Sequence, residues 1–114
     1  MTELVKPSSS AELEVKEPRG VATFIEIISR NLPELRERYS VRTLGVFGSR
    51  LRNEDHGGSD FDILVDFEDP PSLLTFIALE NLLSDILQIE VDLVMKDALK
   101  PAIERHILEE VVYI

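Results

Sequence analysis

From Asp60 to Phe67 the chain alternates with a period of two. Phe61, Ile63, Val65 and Phe67 fall on one side; Asp60, Asp62, Leu64 and Asp66 fall on the other. Successive strand residues point to opposite faces, so this run reads as a strand with one apolar face and one mainly acidic face. Gly57-Gly58 precedes it and Pro70-Pro71 closes it, and both pairs break regular structure. The strand needs neighbours to pair with and a layer to cover its apolar side.

The flanking sequence supplies both. Val21, Phe24, Ile25 and Ile28 recur at helical spacing. Pro33 cannot continue a helix interior, so residues 32–39 are expected to form a second short helix with Pro33 near its start. Residues 42–47 read as a strand that Gly48-Ser49 ends abruptly. Residues 50–55 fit one helical turn, and His56-Gly57-Gly58 breaks it. Ser72 is a candidate N-cap for a Leu-rich helix over 73–87. Residues 89–95 form another strand, 101–110 a last helix, and 111–114 a short extended end. The expected fold class is α/β (α+β), a small mixed sheet backed by helices.

Residues 1–20 carry Pro7-Ser8-Ser9-Ser10 and too few apolar side chains to attach to a core. They are expected to be a disordered tail, with residues 21–114 as one domain. The chain of 114 residues has no cysteine, which rules out disulfides and thiolate metal sites. No apolar run approaches the roughly 18–20 residues that span a bilayer, and the N-terminus lacks a signal pattern. The expectation is a cytoplasmic protein with no membrane association. The net charge of −10 disfavours nucleic acid as a partner. It suits a basic protein partner, or it simply aids solubility.

Gly48-Ser49 stands ten residues ahead of Asp60-Phe61-Asp62. Asp60 and Asp62 lie two apart on a strand, so they share a face with Cα atoms about 7 Å apart. Two carboxylates facing one point repel each other unless a cation lies between them. Mg²⁺ takes one or two carboxylates together with substrate phosphates, so it suits this pair. Gly48 allows backbone to approach a ligand closely, and successive N–H groups there can form an anion nest. The Ser49 hydroxyl adds a donor. Arg50 and Arg52 are candidate phosphate contacts. Asp92 lies on the polar face of a later strand. If that strand neighbours residues 60–67, Asp92 becomes a third carboxylate, as a ligand of a second metal or as general base.

Other polar residues read as ordinary. Asp66 shares the acidic face but lies farther along and is expected to face solvent. His56 is expected to be solvated, His106 to be structural or exposed, and Tyr39 and Tyr113 to pack. The apolar helix over 73–87 reads as core, with any remaining apolar face available to a partner.

The runs Leu44-Gly45-Val46-Phe47-Gly48-Ser49-Arg50, Gly58-Ser59-Asp60-Phe61-Asp62-Ile63-Leu64-Val65 and Val91-Asp92-Leu93-Val94 resemble the minimal nucleotidyltransferase family of the DNA polymerase β-like superfamily. The likeness covers residues 21–114. It implies the polymerase β-like nucleotidyltransferase fold, with Asp60, Asp62 and Asp92 as metal and catalytic carboxylates. Gly48 and Ser49 would hold the triphosphate of ATP, with Arg50 assisting. Members of the family are commonly antitoxins encoded beside HEPN ribonuclease toxins. The resemblance thus implies transfer of AMP from ATP, with two Mg²⁺ ions, to a tyrosine hydroxyl of a HEPN toxin, releasing pyrophosphate. Larger relatives carry an added helical domain for the acceptor; none is read here, which implies a partner that presents it. A small-molecule (aminoglycoside-type) acceptor and a non-enzymatic antitoxin that acts by binding alone are the alternatives.

Overall fold

The computed structural model describes residues 20–48 and 61–114. Ser49, Arg50, Arg52, His56 and Asp60 lie outside the described residues, as do residues 1–19 and the turn expected over 50–55.

Helix α1 runs unbroken over Val21–Tyr39 with Pro33 inside it. This corrects the expected break. Phe24, Ile28, Leu32 and Leu35 are buried along one continuous face that passes straight through the proline. Pro33 itself is exposed, and so is Ser29, whose carbonyl loses its partner because proline has no N–H. Water can take that carbonyl, so the cost stays below the gain of burying Leu32 and Leu35 on the same stripe.

The sheet has four strands in the order β3-β2-β1-β4. Strand β1 (Val41–Phe47) pairs antiparallel with β2 (Phe61–Phe67). Strand β3 (Val91–Met95) pairs parallel with β2, and β4 (Val112–Tyr113) antiparallel with β1. The sheet is therefore mixed, as expected. The β1–β2 register slips between Val41 and Thr43. Such a bulge switches the alternation, which is why Val41, Leu44 and Val46 all reach the same core despite their odd and even positions.

One face of the sheet packs on α1 and on α2 (Leu73–Leu87). Phe24 of α1 lies 4.8 Å from Phe61 of β2 between ring centroids, and Leu79, Leu83 and Leu87 of α2 are fully buried. Each such side chain contributes about 1.5–3 kcal/mol. Ser72 caps α2 as expected, its hydroxyl accepting the Thr75 N–H at 3.2 Å. The first turn of α2 departs from the core reading. Leu73 is 72% and Leu74 80% exposed. The second face is covered in part by α3 (Pro101–Glu110), whose Ile107 packs with Phe47 and Leu64.

Side chains of α2 take up two backbone donors of β3. Glu80 Oε2 accepts the Leu93 N–H at 2.9 Å, and Ser84 Oγ accepts the Val91 N–H at 3.1 Å. Strand β3 ends the sheet, so these donors have no strand to bond to, and α2 serves instead. Among the described residues no helix is long and apolar enough to cross a membrane.

Candidate functional site

Three strands bring their residues level at one end of the sheet. Phe47 of β1 pairs with Asp62 of β2, and Asp62 with Asp92 of β3. Registered neighbours point the same way, and adjacent strands lie about 4.8 Å apart, so the two carboxylates start side by side. Asp62 is half-buried and Asp92 exposed. They share the face that carries Leu64, away from α1 and α2. The condition on Asp92 is met: β3 is the direct neighbour of β2, and parallel to it.

Gly48 follows Phe47 and is buried beside this row, with φ at +93°. Only glycine adopts such a backbone without strain. A Cβ there would also overlap Asp62 Oδ2, with Asp62 Cγ at 3.0 Å and Cβ at 3.2 Å. The Asp62 carboxylate thus lies directly against the Gly48 backbone. The Gly48 N–H donates to Glu110 Oε2 at 3.2 Å. Its own N–H is therefore not a free member of the anion nest expected from the sequence.

Hard carboxylate oxygens on neighbouring strands are the donor type that Mg²⁺ takes, usually one or two together with phosphate oxygens. Asp62 and Asp92 fit that requirement. Among the described residues no group of three or more His, Cys, Asp or Glu is arranged to hold a metal ion. The expected third carboxylate, Asp60, lies outside them.

Asp66 sits on the same face of β2 but is engaged elsewhere. Its Oδ2 lies 3.5 Å from Arg42 Nη1, and Glu68 meets the same guanidinium at 3.4 Å. The Glu68 hydrogen bond, with the charges of Glu68 and Asp66, raises the Arg42 pKa above its ordinary value. Asp66 is thus held in an ion pair with only 16% of its side chain exposed, where open solvent was expected. His106 is exposed, and Tyr39 packs against the core. Tyr113, expected to pack, is half exposed.

Glu110 is the site residue that the sequence did not single out. It lies in an acidic pair ending an amphipathic helix, and no spacing connects it to Gly48, 62 positions away. Glu80 and Ser84, which hold β3 and hence Asp92, were equally silent, because both read as polar positions on a helix.

The model of the nucleotidyltransferase domain matches residues 28–114. Protein adenylyltransferase MntA of Thermococcus cleftensis is 54% identical over 88 residues, which cover 77% of this chain and 89% of that protein. A solved structure described as a minimal nucleotidyltransferase superposes with a TM-score of 0.70 at 31% identity, covering 82% of this chain and 95% of its own. The fold recurs in a Shewanella oneidensis complex of a tri-AMPylated HEPN toxin with an MNT antitoxin. That match has a TM-score of 0.53 at 20% identity and covers 81% of this chain and 66% of that one.

Proposed function

The chain belongs to the minimal nucleotidyltransferases, nucleotidyltransferase domains of the DNA polymerase β-like fold, and we propose that it is an antitoxin that transfers AMP from ATP to a tyrosine hydroxyl of a cognate HEPN toxin. The observation that carries this reading is the registered pair Asp62 and Asp92 beside the Gly48 turn. A protein acceptor is supported by the relative at 54% identity, which is named for protein adenylylation. A HEPN acceptor is supported by the tri-AMPylated toxin bound to a neighbour of the same fold. The net charge of −10 favours a basic partner over a nucleic acid.

In the transfer, the acceptor oxygen bonds to the α-phosphorus of ATP. The bond from that phosphorus to the bridging oxygen breaks, and pyrophosphate leaves. Asp92, exposed at the edge of the row, would take the hydroxyl proton as general base or serve as a metal ligand. Gly48, having no side chain, lets the Asp62 carboxylate lie against the turn at the end of β1. Ser49 donates its hydroxyl to the phosphates, and Arg50 and Arg52 offer guanidinium groups to them. Asp60, Asp62 and Asp92 would hold Mg²⁺, which when bound neutralises triphosphate charge and favours departure of pyrophosphate. An AMP group on the toxin adds bulk and negative charge that opposes RNA binding there.

The test is incubation of the purified chain with α-labelled ATP, Mg²⁺ and the cognate toxin. Label should appear on a toxin tyrosine and be lost with Asp62→Asn. No label, with wild type and Asp62→Asn alike, rejects the transfer. Toxin neutralisation that survives Asp62→Asn combined with Asp92→Asn shows protection by binding alone.

A further inference from the structure

We propose that Glu110 is a positioning residue that sets the Gly48 turn for nucleotide binding; this rests on the nucleotide-transfer reading above. In the β1–β4 ladder Gly45 pairs with Tyr113 and Val46 with Val112, so paired positions sum to 158. Continued by two steps, the same register sets Gly48 opposite Glu110. Strand β4 does not reach that far, because its chain has already entered α3 there. The Glu110 side chain supplies the acceptor that the strand would have supplied, at 3.2 Å from the Gly48 nitrogen.

Glu110 is braced from both sides. One helical turn before it, Ile107 is buried against Phe47 and Leu64, and residues three apart on a helix share a face. Directly after it, the Val111 N–H closes the helix on Ile107 at 2.9 Å. The chain then pairs with β1, ending with the Ile114 N–H on the Leu44 carbonyl at 2.9 Å. Gly48 is consequently held on two sides, by Glu110 at its nitrogen and by the Asp62 carboxylate against its α-carbon. The Glu110 hydrogen bond occupies the Gly48 N–H where the strand ladder ends. It fixes the direction in which the chain leaves β1 at Gly48.

The role requires an acceptor at position 110, which Gln also provides. Two readouts on full-length chain test it. In the first, affinity for a non-hydrolysable ATP analogue with Mg²⁺ is measured by calorimetry. Glu110→Ala should weaken binding roughly tenfold, the scale of one hydrogen bond. Glu110→Gln should stay within about threefold of wild type, since the amide oxygen still accepts. In the second, the Gly48 amide is followed by hydrogen exchange without nucleotide. It should exchange faster in Glu110→Ala and stay protected in Glu110→Gln.

Equal or tighter binding by Glu110→Ala overturns the proposal, since Glu110 would then be competing with phosphate. Equal weakening in both variants also overturns it, since charge rather than the acceptor would matter. Absence of nucleotide binding by the wild-type chain refutes the transfer reading itself, and the exchange rates then still decide whether Glu110 holds the turn.

Discussion

Substitution of Gly48 by alanine separates fold from function. The backbone there has φ at +93°, and an added methyl would overlap Asp62 Oδ2 and lie 3.0 Å from Asp62 Cγ. Holding an alanine in positive-φ backbone costs about 1–2 kcal/mol. Relief of the overlap turns the Asp62 side chain off its rotamer, at about 0.5–1.5 kcal/mol. Alanine also stiffens the unfolded chain, which returns about 0.4–1 kcal/mol. The net loss is about 0.5–3 kcal/mol, a fall in thermal midpoint of about 10 °C near the middle of that range for a domain of this size. Calorimetric melting measures it. Rotation of Asp62 displaces a reacting group by an ångström or so, which costs about 100-fold in transfer rate. Labelled-ATP transfer at a temperature where the variant is folded measures that. A variant that melts earlier yet transfers AMP at the wild-type rate would refute the argument that glycine is required by the Asp62 contact. The positive φ alone would then account for the residue.

Other perturbations have equally definite outcomes. Asp62→Asn and Asp92→Asn should each lower transfer by on the order of 10²- to 10³-fold. Thermal melts check that each variant is folded at the assay temperature. Glu80→Ala removes the acceptor of the Leu93 N–H and should cost about 1–3 kcal/mol in urea unfolding, with Glu80→Gln close to wild type. Gly45→Ala places a methyl 2.5 Å from Val111 Cγ2 and 3.3 Å from Tyr113 Cδ1. It should lower stability by about 1–3 kcal/mol and speed exchange of the Ile114 amide. Chelation of Mg²⁺ should abolish transfer. Mg²⁺ at a hundred times its dissociation constant should stabilise the chain by about 2.7 kcal/mol in the same melts.

Where local rules operate alone, the sequence was legible. The alternation over residues 61–67, the Ser72 cap and the end of α3 at Glu110 all stand as read. Pro33 does not show by itself that the helix continues, because that depends on Ser29 lying on the exposed side and Leu32 and Leu35 in the core. Helix α2 was ambiguous for another reason. Leu73, Leu74, Phe76, Ile77, Leu79, Leu82 and Leu83 surround much of it, so composition could not choose which stripe faces the sheet. Packing chose Leu79, Leu83 and Leu87 and left Leu73 and Leu74 outside.

Sequence by itself determined the chemistry on offer: a glycine turn at the end of one strand, Asp62 on the polar face of the next, and Asp92 on the polar face of a third. Local periodicity and turn residues suffice for that, because side-chain direction along a strand is set by the backbone. Tertiary structure alone decided that β3 lies parallel beside β2 with Asp92 level with Asp62. It alone decided that Arg42 takes Asp66 away from the row and that Glu110 reaches the Gly48 nitrogen across 62 positions. Strand order and register depend on which long-range pairings bury the most apolar surface, and no residue carries that information in its own neighbourhood.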